Sequence, residues 1–365
     1  NLMSSKKIPA AVLAATGAVG QRFVQLLENH PWFDVIAVTG SDRTVGRKYG
    51  EACHWVLPTD IPANVRELEV LPSMAEAVQT PLVFSALPKR KAKTIEPLFA
   101  QAGAAVCTNA GAFREDPLTP ILLPEVNADH TSLIPAQKAA NQREGFIVTN
   151  PNCTSTGMTI ALKALQSNFG VKKVFATSMQ AISGAGYPGV ASLDILGNVL
   201  PYIGGEEEKV AWEPRKMLGT VTDGKLELAD IGFSVHTNRV PVIDGHTVVL
   251  TVELADPPAD FGLVSRALAA YQAPTQARDL PSAPQPVIRV RSEANRPQPR
   301  LDIMAGSGMT TSVGRIRPDE IFDLRMVVVS HNTIRGAAGG SIYNAELLVE
   351  QGFIQGQSSM ANNPA

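Results

Sequence analysis

IPAAVLAATGAVGQRFVQLLENHP, residues 8–31, decides the first half of the fold. The apolar run over 8–14 reads as a strand, ATGAVG over 15–20 as a tight turn, and QRFVQLLENHP as an amphipathic helix. Glycines in a turn between strand and helix let backbone N–H groups approach a pyrophosphate at the positive end of the helix. Thr16, Gly17, Ala18, Val19 and Gly20 are therefore expected to touch a dinucleotide. Residue 14 is alanine where the G-x-x-G-x-x-G form has its first glycine.

Working outward, DVIAVTG (34–40) is a second apolar strand, followed by Ser41-Asp42-Arg43. An acidic residue at this position holds the ribose 2′-hydroxyl of NAD. Ser41 and Arg43 offer a hydroxyl and a permanent cation, which suit the 2′-phosphate of NADP. An inward-pointing Asp42 would favour NAD instead. TPLVFSALP (80–88) and GAAVCTNAG (103–111) are further strands, separated by the helical KRKAKTIEPLFAQA, and Ser85 and Ala86 join the expected cofactor set. This alternation predicts βαβ units and a parallel sheet.

From about residue 171 the rhythm changes. KKVFATSMQAIS, FSVHTNRVPVI, HTVVLTVEL and RMVVVSHN read as strands of a mixed or antiparallel sheet, and GAAGGSIYNAELLVEQG (336–352) as a helix returning to the first domain. The fold class expected is α/β: a Rossmann-type dinucleotide-binding domain plus an α+β catalytic and dimerisation domain with a mixed sheet. The boundaries expected are 1–149, completed by a C-terminal helix within 333–365, and 150–332. Asn1-Leu2 before Met3 reads as a remnant, and the closing QGQSSMANNPA as a flexible tail.

At 365 residues, with 44% hydrophobic and 18% charged residues, the chain has the composition of a two-domain globular protein. A formal charge of −2 gives no electrostatic case for nucleic acid. No apolar run is long enough to span a membrane and no signal-peptide pattern stands out. The three cysteines, Cys53, Cys107 and Cys153, form neither a disulfide framework nor a metal motif. A cytoplasmic, metal-free protein is expected.

NPNCTSTGMT, residues 150–159, sets Cys153 at or just before a helix N-terminus, where free N–H groups and the dipole favour a thiolate. A buried, inert thiol is the alternative, and the polar Asn/Thr/Ser setting suits it poorly. A thiolate acting on a carbonyl needs a proton carrier. His30, His54 and His130 lie in surface-like contexts and His331 ends a strand, which leaves His236 and His246. In NRVPVIDGHT (238–247), Asp244-Gly245 predicts a two-residue hairpin that sets Arg239 and His246 on one face. A small acidic substrate then fits between a guanidinium and an imidazole; a wider turn would break the parity. GGEEEKVAWEP (204–214) opens a helix with three acids, and TNAGAFRED (108–116) carries Asn109 and Arg114 on a Gly/Ala loop suited to an anion.

Taken together, ATGAVGQRFVQLLENHPWF, NPNCTSTGMT, GYPGVASLDILGNVLPYIGGEEEK, NRVPVIDGHT and HNTIRGAAGGSIYNAE closely resemble the aspartate-semialdehyde dehydrogenases, particularly their fungal and archaeal branch. The resemblance spans nearly the whole chain. It implies that Cys153 is the nucleophile, His246 the general acid/base and Gln180 the substrate-orienting glutamine. It implies that Arg239 grips the substrate α-carboxylate, Glu206 its amino group, and Arg114 with Lys209 its phosphate, with Asn109 and Asn152 nearby. Ser183, Gly184, Gly186 and Asn332 match cofactor-contacting positions. The reaction implied is NADPH-dependent reduction of L-aspartyl-4-phosphate to L-aspartate-4-semialdehyde and phosphate, by a homodimer or homotetramer.

Three rivals remain at this stage. Another acyl reductase of the same fold, such as malonyl-CoA reductase, would need neither Glu206 nor Lys209. A non-catalytic NADP-sensing protein would have lost Cys153 or His246. A thiol hydrolase would not need the 14–20 turn.

Overall fold

The computed structural model describes residues 7–355; the expected leading remnant and all but the first residue of the tail lie outside them. Among these residues the chain forms two units. The first takes in 7–120, 131–150 and 341–355, and the second 121–130 and 151–340.

The first unit is built on six parallel strands: β1 Ile8–Leu13, β2 Phe33–Gly40, β3 Val70–Pro72, β4 Leu82–Ser85, β5 Ala105–Thr108 and β6 Phe146–Thr149. Their order in the sheet is β3-β2-β1-β4-β5-β6, the doubly wound arrangement whose ligand crevice lies at the carboxyl ends of the strands. Four residues each of β4, β5 and β6 are all buried, as helices covering both faces of a parallel sheet require. On one side Ala11, Leu13, Val83, Val106 and Ile147 pack with Phe99 and Ala100 of the Lys89–Gln101 helix. Phe84 stacks on Phe23 of the Ala18–Leu27 helix and meets Phe33 edge-on. The chain returns to this unit at its end, where Glu346 of the Gly339–Glu350 helix accepts from His30 Nε2 at 2.8 Å. His30 is therefore buried and paired, not the surface histidine its context suggested.

The second unit holds β7 Val171–Gln180, a small hairpin of β8 Thr220–Thr222 and β9 Lys225–Glu227, β10 Gly232–Arg239, β11 His246–Leu254, β12 Ile288–Arg291, β13 Thr311–Pro318 and β14 Leu324–Ser330. The main sheet runs β10-β7-β11-β14-β13-β12. It is mixed: β10 is parallel to β7, β12 to β13, and the remaining neighbours are antiparallel. The expected Asp244-Gly245 hairpin does not form. β7 lies between β10 and β11, so the residues from 240 to 245 cross over a strand end instead of folding one strand onto the next. The Asp-Gly pair still turns the chain, with Gly245 at φ +98, but the pairing on both sides is to residues far away in sequence.

The second unit also includes 121–130 and 333–340, stretches that the sequence reading gave to the first. Glu125 and Arg335, both fully buried, form a two-point ion pair between them. His130, also buried and not at the surface, bridges Asn127 and the carbonyl of Gly219. Tyr271 Oη donates to the carbonyl of Glu125. No helix among the described residues is long and apolar enough to cross a membrane.

Candidate active site

The chain passes from the first unit to the second at Asn150-Pro151, and the Cys153–Phe169 helix begins at once. Asn152 caps it. Its Oδ1 accepts from the N–H groups of Thr154 (2.9 Å) and Ser155 (3.3 Å), two of the donors a helix start leaves unpaired. Cys153 is the first helical residue and is half-buried, as the sequence predicts. Gly336 packs directly behind it, where a Cβ would come within 2.9 Å of Cys153 Cβ. The other cysteines, Cys53 and Cys107, are buried, and burial pushes both thiols up.

Cys153 Sγ lies 3.1 Å from His246 Nε2. The opposite ring nitrogen, Nδ1, accepts the backbone N–H of Ala181 at 3.0 Å. A neutral imidazole carries one ring proton, and with Nδ1 engaged as acceptor that proton sits on Nε2, facing the sulfur. His246 is pushed down to about 3, first by complete burial and then by the charges of Arg239 and His331. The ring is thus neutral throughout the ordinary pH range and serves the sulfur as a hydrogen-bond donor.

Arg239 ends β10 and sits opposite Gln180, the last residue of β7. Its Nη1 donates to the carbonyl of Ala181 at 2.8 Å. Burial holds its ionisation below the usual guanidinium range, against the pull of Cys153 and Glu206, yet arginine stays charged at any pH the fold survives. Gly184 fills the notch between guanidinium and imidazole: a Cβ there would lie 2.8 Å from Arg239 Nη1 and 3.0 Å from His246 Cε1. Asn332 braces this corner, donating to Ser183 Oγ and accepting from the N–H of Gly245, both at 2.8 Å.

Glu206 opens the Glu206–Met217 helix and is buried among donors. Asn152 Nδ2 reaches both its oxygens at 3.0 and 2.9 Å, Gln180 Nε2 reaches Oε2 at 3.3 Å, and Lys209 Nζ reaches Oε1 at 3.0 Å. Asn152 also gives its backbone N–H to Glu213 Oε2 at 2.6 Å. Cys153, His246, Gln180, Arg239, Glu206, Asn152 and Lys209 therefore converge at one end of the second unit, with Ser183, Gly184 and Asn332 at the same corner. Gly186, at φ +76, has open space where a side chain would stand.

The remaining expected residues belong to the first unit. Arg114 is nearly buried; its Nε donates to the carbonyl of Asn150 at 2.9 Å and its Nη2 to that of Asn109 at 3.1 Å. Asn150 Nδ2 ties Asn109 Oδ1 at 2.9 Å, and Ser341 Oγ donates to Asn150 Oδ1. The expected phosphate pair, Arg114 and Lys209, is thus divided between the two units.

The 14–20 turn fits a dinucleotide. The Ala18–Leu27 helix has no side-chain cap and no acid in its first turn, in contrast to the capped Cys153 helix, and an uncapped start of this kind suits an anion. Around it the carbonyls are secured: Tyr49 Oη donates to the carbonyl of Ala15 and Gln21 Nε2 to that of Thr16. A Cβ on Gly20 would lie 2.3 Å from the carbonyl oxygen of Ala14, so only glycine lets the helix pack this close to the strand. Ala14 itself holds φ +55, the left-handed conformation a first glycine adopts without cost. Ser41, Asp42 and Arg43 are all exposed after β2. Ser85 ends β4, and the N–H of Ala86 donates to the carbonyl of Leu13. Among the described residues no cluster of His, Cys, Asp and Glu could hold a metal.

Sequence reasoning missed Ala181, Gly336, Glu213 and the approach of His331 to His246. Gly336 and His331 both stood inside the quoted HNTIRGAAGG stretch. Ala181 acts through its backbone groups, which leave no residue-type signal, and Glu213, whose carboxylate accepts the backbone N–H of Asn152, stood inside the quoted GGEEEKVAWEP stretch.

Two family profiles match the chain: "semialdehyde dehydrogenase, NAD binding domain" over residues 9–134 and "semialdehyde dehydrogenase, dimerisation domain" over 162–335. An aspartate-semialdehyde dehydrogenase of Archaeoglobus fulgidus is 48% identical, with 94% of this chain and 98% of that protein covered. One of Trichophyton rubrum is 43% identical, covering 97% of this chain and all of the relative. The crystal structure of aspartate-semialdehyde dehydrogenase with NADP from Candida albicans superposes with a TM-score of 0.87 at 38% identity, covering 96% of this chain and all of that one.

Proposed function

The chain belongs to the aspartate-semialdehyde dehydrogenase family, and from that premise we propose how its side chains divide the reaction. It is an NADP-dependent phosphorylating oxidoreductase of aspartate-pathway amino-acid biosynthesis, which converts L-aspartyl-4-phosphate to L-aspartate-4-semialdehyde. The malonyl-CoA and non-catalytic readings find no support among the relatives.

The observation that carries the reading is the 3.1 Å approach of Cys153 Sγ to the proton-bearing Nε2 of His246 at a helix N-terminus. In the mechanism proposed, the Cys153 thiolate attacks the acyl carbon, the C–S bond forms and the C–O bond to phosphate breaks, leaving a thioester. Arg114 and Lys209 offset the charge that gathers on the departing phosphate. Arg239 takes the α-carboxylate through guanidinium N–H groups left over from its bond to Ala181, and Glu206 takes the α-ammonium. Gln180, held against Glu206, orients the acyl group.

The dinucleotide, held by the 14–20 turn, Ser41 and Arg43 with Ser85, Ala86, Ser183, Gly184, Gly186 and Asn332, supplies the hydride when bound. His246 donates a hydrogen bond from Nε2 to the oxyanion of the resulting thiohemiacetal. As the carbonyl re-forms and the C–S bond breaks, the same N–H returns to the thiolate.

Single-turnover oxidation tests this scheme. Semialdehyde and NADP without phosphate should give a burst of NADPH no larger than the number of Cys153 sites, because the thioester has no acceptor. Steady turnover without phosphate would contradict it.

We also infer a homodimer or homotetramer and a cytoplasmic setting. The dimerisation-domain match supports the first, together with exposed apolar side chains at Leu193 (93% exposed), Leu196 and Tyr202. Three cysteines that form no disulfide support the second. Light scattering of the purified protein checks the assembly; a monomer at micromolar concentration would overturn it.

A further inference from the structure

The carbonyls of the cofactor turn are all spoken for. Ala14 accepts the N–H of Gly17 at 3.1 Å, and Ala15 accepts the hydroxyl of Tyr49 at 2.8 Å. Thr16 accepts the side-chain amide of Gln21 at 3.0 Å, and Gly17 the backbone N–H of Gln21 at 2.8 Å. Two of these bonds belong to the turn and to the helix that follows it. The other two, at Ala15 and Thr16, are supplied by side chains.

That difference matters to an anion. A carbonyl oxygen facing a pyrophosphate repels it, whereas a trans peptide whose C=O is held inward sets its N–H on the opposite side. Tyr49 is fully buried, so its hold on the Ala15 carbonyl directs the N–H of Thr16 away from the Tyr49 ring. The start of the turn is anchored separately, with the N–H groups of Ala14 and Ala15 bonded to Thr39 Oγ1 and its carbonyl at 3.1 and 2.8 Å.

Gln21 suits its place because it is an amide. It is 2% exposed and every polar group on it is used. Its Nε2 donates to the carbonyls of Thr16 and His54, the latter at 2.9 Å, and its Oε1 accepts the N–H of Val56 at 2.8 Å. One NH2 group thus holds together two carbonyl oxygens that would otherwise repel each other. Cys53 Sγ, 3.9 Å from the Thr16 oxygen, is too weak a donor to replace it. Without the amide, the Thr16–Gly17 peptide can rotate, carrying its carbonyl toward the ligand side and giving up the bond from Gly17 to Ala14.

We propose that Gln21 and Tyr49 are positioning residues for the dinucleotide. They hold the Thr16 and Ala15 carbonyls off the pyrophosphate, so the turn is already set when the cofactor arrives, and neither side chain needs to touch it. This rests on the reading of 14–20 as the dinucleotide turn.

NADPH binding, followed by nicotinamide fluorescence, tests the proposal in two variants. Tyr49→Phe deletes one hydroxyl, and Gln21→Met keeps the length of the side chain without its amide. Each should raise the NADPH Kd about five- to tenfold, the scale of one or two lost hydrogen bonds. Adenosine 2′-monophosphate carries no pyrophosphate, so its inhibition constant against NADP should stay within about twofold of wild type. The kcat at saturating NADP should not fall. A merely structural role would weaken both ligands alike. A wild-type NADPH Kd in either folded variant, or an equal loss of adenosine 2′-monophosphate, would overturn the proposal. Tyr49→Phe retains the buried ring, so the test stands even where Gln21→Met does not fold. Wild type separates this failure from failure of the functional reading. Wild-type protein that binds no NADPH defeats the dinucleotide turn itself, whereas wild-type binding that both variants share defeats only the roles of Gln21 and Tyr49.

Discussion

Arg239 and His246 end up on either side of the Gly184 notch although their strands never pair: β7 separates them and delivers both beside its last residue, Gln180. The seven-residue spacing between them is the length of a crossover past one strand end.

That crossover makes Gly184 the tightest point of the site. Gly184→Ala would set a methyl carbon 2.8 Å from Arg239 Nη1 and 3.2 Å from His246 Nε2. Because residue 184 is exposed, stability should hardly change while kcat falls tenfold or more. Steady-state kinetics beside a thermal melt checks this, and an unimpaired kcat would mean the notch is not used.

Arg239→Lys replaces a planar fork with a point charge. The semialdehyde KM should rise about tenfold or more with a smaller change in kcat. An unchanged KM would mean that the carboxylate is held by another residue.

The sequence made much of this site legible, for local reasons. Asn150-Pro151 ends a strand, Asn152 is a strong helix cap, and the next residue is Cys153, so its place at a helix start follows from three neighbours. The 14–20 turn is equally local. What failed was non-local. Asp244-Gly245 carries a strong hairpin signal, but β10 is taken by a parallel partner some 60 residues earlier in the chain. The burial of His30 and His130 depends on Glu346 and Gly219, which no window around either histidine contains.

Ala14 holds a left-handed φ of +55, which costs a non-glycine residue about 1 kcal/mol. Ala14→Gly should relieve this, offset in part by the greater freedom of glycine in the unfolded chain. Denaturant unfolding should show stability unchanged or raised by up to about 1 kcal/mol. A clear loss would contradict the strained turn.

Glu96 lies fully buried beneath the cofactor half, with Thr108 Oγ1 donating to it at 2.5 Å. Burial pushes it up to about 7, against hydrogen bonds from Thr108 and Ser85. Between its ordinary value of 4.5 and about 7 the folded protein therefore keeps a proton that the unfolded chain has lost. Stability should fall as the pH rises through that window, with the full penalty present above it, of the order of 3 kcal/mol. Glu96→Gln should flatten this part of the curve. An unchanged slope in urea titrations from pH 5 to 8 would show that Glu96 ionises freely.

The most direct measurement is NADPH absorbance after mixing the protein with aspartate semialdehyde, inorganic phosphate and NADP. The expected result is steady reduction that requires phosphate and disappears in Cys153→Ser, with that variant still binding NADPH. Steady reduction without phosphate, or turnover by Cys153→Ser at the wild-type rate, would contradict a phosphorylating dehydrogenase working through a Cys153 thioester.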